Sequence, residues 1–146
     1  MTVRFGILGA ARIAGKALVA PVEAHPGAEV TAIAARDGVR AREYAERHEI
    51  PAVAASYAEL VGRDDVDVVY NPLPNGLHGP WTRTALAAGK HVLCEKPLTS
   101  GADEARELFA LAEDRGLLLM EAIHYAYHPV AAHIREVCLG EGASIG

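Results

Sequence analysis

The chain has 146 residues, of which 51% are hydrophobic and 23% charged, with a formal charge of -5. That length suits one domain with a buried core, and the composition excludes a disordered chain. The acidic balance argues against a nucleic-acid surface, which needs clustered Lys and Arg, and no apolar run approaches the roughly 20 residues of a membrane span.

Val3 to Leu8 is a short apolar segment ending at Gly9, the pattern of a strand buried on both faces. Arg12 to Ala20 predicts a first helix, which Pro21 limits or kinks because proline has no backbone donor. Glu29 to Ala35 follows the His25-Pro26-Gly27 turn signal as a second strand and ends at Arg36-Asp37-Gly38. Val39 to His48 places Val39, Ala41, Tyr44 and Ala45 on one helical face. A weak strand near Val53 leads to Ser56, an N-cap for a short helix through Ala58, Leu60 and Val61.

Val66 to Tyr70 predicts the next strand. Asn71-Pro72-Leu73-Pro74-Asn75-Gly76 breaks it, two prolines and a glycine predicting a rigid loop without regular structure. Gly79 to Ala88 reads as a helix, His91 to Cys94 as a strand, Ala102 to Arg115 as an amphipathic helix and Leu117 to Ala122 as the last strand. Val130 to Cys138 is expected to be helical, and Gly140 to Ser144 a frayed tail. Strands alternating with helices predict an α/β fold with a doubly wound parallel sheet of Rossmann type.

Ligands of such sheets bind beyond the carboxyl ends of the strands. The first candidate loop is Gly9-Ala10-Ala11-Arg12-Ile13-Ala14, a small-residue turn into a helix whose backbone donors and dipole suit a pyrophosphate. It departs from GxGxxG at Ala11 and Ala14, and such a turn also occurs without a ligand. The second loop is Arg36-Asp37-Gly38-Val39-Arg40, where an acid on the ribose hydroxyls favours NAD and an arginine on a 2'-phosphate favours NADP. Arg36 stands first, which points to NADP, and Asp37 keeps NAD open. The third element pairs Asn71 to His78 with Glu95 to Pro97, at neighbouring strand ends, to hold a nicotinamide ribose.

Only Cys94 and Cys138 are present, with no CxxC and no zinc spacing, so no metal site and a reducing compartment are expected. The first residues lack the long apolar core of a secretory signal, which adds to a cytoplasmic expectation. Cys94, on a predicted buried strand, reads as a small core residue.

Three segments make the sequence resemble the Gfo/Idh/MocA oxidoreductases over nearly its whole length. They are Gly6 to Ala14, Pro74-Asn75 with His78, and Ala88-Gly89-Lys90-His91-Val92-Leu93-Cys94-Glu95-Lys96-Pro97-Leu98. Ala34-Ala35-Arg36-Asp37 with Arg40, and Met120-Glu121-Ala122 before His128-Pro129, are most similar to the dihydrodiol and xylose dehydrogenase branch, which typically uses NADP. The resemblance implies that Lys96 is the catalytic-site lysine, near the nicotinamide and the substrate hydroxyl, held by Glu95 and Pro97. A cis bond before Pro97 is frequent in the family.

An alcohol losing a hydride needs a base for its hydroxyl proton, and a lysine serves if burial or a nearby positive charge lowers its pKa. The expected cofactor set is Gly9, Ala10, Ala11, Arg12, Ile13, Arg36, Arg40, Leu73, Pro74, Asn75, His78, Glu95, Lys96 and Pro97, with NADP preferred over NAD. His78 reads equally as a capping or packing histidine. The family commonly has an arginine two places before His128, where this chain has Ala126. His124, Tyr125, Tyr127 and His128 read as aromatic packing against a second domain or subunit.

Family members continue with a C-terminal α/β domain that supplies the substrate pocket. Residues 1–128 are therefore expected to be the dinucleotide-binding domain, and 129–146 a connecting helix and tail leading to a C-terminal domain absent from this sequence. The function expected is the cofactor-binding half of an NADP(H)-dependent oxidoreductase acting on a sugar, polyol or diol. The alternatives are a stand-alone nucleotide-binding module or regulatory subunit without turnover, or a subunit pairing with a separate catalytic chain. The expected partners are such a small-molecule substrate and a second copy in a homo-oligomer, not nucleic acid or a membrane.

Overall fold

The computed structural model describes residues 2–139. Six parallel strands form one sheet in the order β3-β2-β1-β4-β5-β6. They are β1 Val3–Leu8, β2 Ala28–Ala34, β3 Ala52–Val53, β4 Val68–Asn71, β5 His91–Cys94 and β6 Leu119–Glu121. The main helices are α1 (12–23), α2 Gly38–Arg47, α3 Tyr57–Val61, α4 His78–Ala87, α5 Ala102–Asp114 and α6 Pro129–Leu139. The tail expected over Gly140 to Ser144 lies outside the described residues.

Adjacent residues of the inner strands enter opposite cores, as the period of two requires. Ile7, Ile33 and Tyr70 pack with Leu18, Val22 and Tyr44 on the α1 and α2 side. Leu8, Ala32, Ala34 and Val69 pack with Leu60, Leu86 and Leu108 on the side of α3, α4 and α5. Both faces of the sheet are covered, so the strands read as apolar runs without alternation. The chain builds outward from β1 to β3, then crosses to β4 on the other side of β1. That reversal opens a crevice between β1 and β4, where this architecture binds ligands.

The first helix differs from expectation. It runs through Pro21 to Glu23 by way of a π-helical stretch, Gly15–Val19, in which the Ala20 amide donates to the Gly15 carbonyl. The wide turn ends just before Pro21, which then sits in the first turn of the last segment, where its missing N–H is no loss. The loop after β4 is also more ordered than expected, with a 3-10 turn at Asn75–Leu77. β6 is shorter than the segment Leu117 to Ala122, because the Leu117 amide closes α5 by bonding the Ala112 carbonyl. His124–Tyr127 forms a 3-10 turn that leaves Tyr125 and Tyr127 exposed. Among the described residues no helix is long and apolar enough to cross a membrane.

Candidate active site

The glycine turn needs its glycine. Gly9 has φ +89°, and a Cβ there would meet Leu73 Cδ2 at 3.0 Å. Its amide donates to the Ala34 carbonyl at 2.6 Å, tying the end of β1 to the end of β2. The helix that follows begins at Arg12 without a side-chain cap; the Ala14 amide donates to the Ala11 carbonyl at 3.1 Å, and the amides of Arg12 and Ile13 precede it without an intrahelical partner.

Beside that turn, α2 begins with Asp37 as its N-cap. The Asp37 Oδ1 accepts from the amides of Val39 (2.9 Å) and Arg40 (3.2 Å). Arg40 Nη2 donates to the Ala10 carbonyl at 3.3 Å, and Arg36, exposed, makes no ion pair or hydrogen bond among the described residues. Strand end two therefore presents a cationic group, while its acid is engaged by its own helix.

These pieces line one cleft of about 520 Å³, formed by Gly9, Ala10, Ala11, Arg36, Asp37, Arg40 and Tyr57 with the loop Pro72-Leu73-Pro74 and Leu77. Arg12 and Ile13 stand exposed at the start of α1 outside that lining, as does Asn75 in its loop. Tyr57, edge-on to Trp81 with ring centroids 5.1 Å apart, was not singled out from the sequence. A tyrosine one residue after an N-cap serine carries no signal of its own.

The end of β5 lies next along the rim. Glu95, 8% exposed, accepts a hydrogen bond from the Tyr70 hydroxyl at 2.7 Å, and burial together with that carboxylate raises the Tyr70 pKa. The Lys96–Pro97 bond is cis. Lys96 and Pro97 line an adjoining hollow of about 570 Å³ with Glu121, Ala122, Ile123, His124 and Tyr125. Lys96 is exposed and unpaired among the described residues, so these residues alone do not supply the burial expected around its amine. Glu121 Oε1 accepts from the Leu98 amide at 2.8 Å and so pins the turn after Pro97.

His78 does not reach the cleft. Expected among the cofactor residues, it is instead 1% exposed beneath the cleft, its two ring nitrogens lying against backbone carbonyls. Cys94 is fully buried, and burial pushes its thiol up to about 12, leaving it protonated at neutral pH. Among the described residues no group of three or more His, Cys, Asp or Glu side chains is placed to hold a metal.

A six-stranded parallel sheet of this order, with a glycine turn and an uncapped helix at its crevice, defines a Rossmann-type dinucleotide-binding fold. Residues 3–123 match the oxidoreductase family with an NAD-binding Rossmann fold, Gfo/Idh/MocA, and the chain belongs to that family. It is 47% identical over 137 residues to D-xylose 1-dehydrogenase (NADP(+)) 2 of Haloferax volcanii, covering 94% of this chain and 42% of that protein. It is 48% identical over 143 residues to dTDP-3,4-didehydro-2,6-dideoxy-alpha-D-glucose 3-reductase of Actinomadura kijaniata, covering 95% and 43%. The crystal structure of KijD10, a 3-ketoreductase from Actinomadura kijaniata in complex with NADP and TDP-benzene, superposes with a TM-score of 0.84. The two are 44% identical, over 95% of this chain and 43% of that one. The chain thus spans less than half the length of the relatives it matches.

Proposed function

We propose that this chain is the cofactor-binding half of an NADP(H)-dependent oxidoreductase, transferring a hydride between nicotinamide and a hydroxyl or carbonyl of a sugar, polyol or diol. The observation that carries this is the shared rim. The Gly9 turn, Arg36, Arg40 and the loop after β4 line one cleft, and Lys96 stands at the next strand end. The residues suit the group. A Cβ at Gly9 would intrude on Leu73 beside the turn, the first amides of α1 are uncapped, and an unpaired arginine waits where a 2'-phosphate falls in this fold. The NADP named for the xylose dehydrogenase and in the KijD10 complex supports the choice.

Each residue then has a task. Gly9 to Ile13 hold the pyrophosphate with backbone donors. Arg36 and Arg40 pair with the 2'-phosphate, which a guanidinium grips with parallel N–H bonds. Leu73, Pro74 and Asn75 border the nicotinamide ribose. NADP, when bound, supplies the hydride acceptor, and its reduced form the donor. Lys96 takes the hydroxyl proton in oxidation and returns it in carbonyl reduction.

Isothermal titration of this chain with NADPH and NADH tests the reading. NADPH binds more tightly, and Arg36→Ala, which removes a charge-assisted contact of about 1.5–3 kcal/mol, weakens NADPH roughly 10- to 100-fold while leaving NADH nearly unchanged. Equal affinities for the two cofactors in the parent chain would refute the NADP assignment, and no binding of either would refute the function.

A further inference from the structure

Lys96 has three neighbours anchored by side chains from three different elements. Tyr70 on β4 bonds the Glu95 carboxylate, Glu121 on β6 bonds the Leu98 amide, and His78 at the start of α4 contacts the Pro97 carbonyl. Of the three anchors, His78 alone also contacts the loop that lines the cofactor cleft. Its Nδ1 lies 2.7 Å from the Pro97 oxygen, and its Nε2 lies 2.6 Å from the Leu73 oxygen.

Carbonyl oxygens only accept hydrogen bonds, and a neutral imidazole carries a single N–H. Both contacts are hydrogen bonds only when the ring holds a proton on each nitrogen. A neutral ring would leave one bare nitrogen facing a carbonyl oxygen in a site with almost no solvent. We propose that His78 is a positioning residue: as an imidazolium it staples the Leu73-Pro74-Asn75 loop to the Lys96-Pro97-Leu98 turn, and losing one proton releases one of them. This rests on the cofactor-binding role proposed above, because those two segments are the ones that border the nicotinamide and carry the amine.

The surrounding charges bear on that proton. The first turn of α4 is electropositive and opposes a cation. Glu104 of α5 offsets it, its carboxylate lying against Gly79 and leaving no room there for a Cβ. Asn71 on β4 and Thr82 on α4 are neutral, with Asn71 Nδ2 donating to the His78 carbonyl at 3.1 Å and to Thr82 Oγ1 at 3.3 Å. Cys94 on β5 is a protonated thiol. The remaining charged groups of this region are Glu95 and Lys96 after β5 and Glu121 on β6.

The test uses the whole chain. Ring nitrogen NMR between about pH 5 and 9 reads the protonation of His78 directly, and NADPH titration over the same range reads its consequence. Two protonated ring nitrogens are expected at the acidic end. NADPH affinity should fall about fivefold or more as one proton leaves, a pH dependence that His78→Gln, with an amide able to serve one carbonyl, should lack. A ring with one bare nitrogen throughout overturns the proposal, and so does a His78→Gln variant that keeps the parent's pH profile. If the parent binds no NADPH at any pH, the proposed function fails, while the ring spectrum still decides the state of His78. Circular dichroism melts show whether the variant is folded, and the spectrum of the parent chain stands without it.

Discussion

Replacing Gly9 by alanine probes strand end and cleft together. At φ +89° an L-residue pays roughly 1–2 kcal/mol for the left-handed conformation. The new Cβ would also sit 3.0 Å from Leu73 Cδ2, and moving that flexible methyl adds a few tenths. A loss of about 2 kcal/mol corresponds to a drop in Tm of roughly 5–8 °C for a domain of this size. Relaxing φ instead would break the 2.6 Å bond from the Gly9 amide to Ala34 and displace the turn. Gly89 provides the control, because its φ is +78° with nothing within 4 Å of an added Cβ. Gly89→Ala should cost about 1–2 kcal/mol through backbone strain and leave NADPH affinity unchanged. Gly9→Ala should lose stability and at least about tenfold in affinity, equivalent to 1.4 kcal/mol. Differential scanning calorimetry and isothermal titration give the two readouts. A Gly9→Ala variant with the parent's Tm and affinity would show that neither the turn nor its contact with Leu73 matters as described.

Tyr70→Phe removes the hydroxyl that donates to the buried Glu95 carboxylate, and urea unfolding should show a loss of about 1–3 kcal/mol with an unchanged m value. At the opposite rim, Arg4 Nε donates to Asp67 Oδ2 at 2.9 Å, and the hydrogen bonds from Arg4 hold the Asp67 pKa down to about 2. A carboxyl whose folded pKa lies below its unfolded value contributes stability above the unfolded pKa, near 3.8, and loses it as pH falls through about 2. The two side chains are 35% and 28% exposed, so solvent screening keeps the contribution small. Asp67→Asn should flatten the stability profile between about pH 4 and 2, and an unchanged slope there would remove this pair from the acid response.

Much of this site was legible because its signals are local. Apolar runs ended by Gly9, Arg36, Asn71 and Glu95 marked four strand ends, and a parallel sheet places all such ends on one rim. Ser56 accepts a hydrogen bond from the Glu59 amide, as its place before an apolar run predicts. As the first acid after the second strand, Asp37 reads as a ribose ligand. Its position before Gly38-Val39-Arg40 also carried the signature of an N-cap, which is what it does.

The contacts around Lys96 had no such signature. Tyr70 reaches Glu95 across 25 positions, Leu98 reaches Glu121 across 23, and His78 reaches Pro97 across 19. No periodicity links residues that far apart. The amino-acid order by itself determined which segments become strands and helices, because backbone preference and apolar spacing act within a few residues. Tertiary structure alone decided which buried polar groups meet, because each must find a partner wherever strand order and helix packing bring one within about 3 Å.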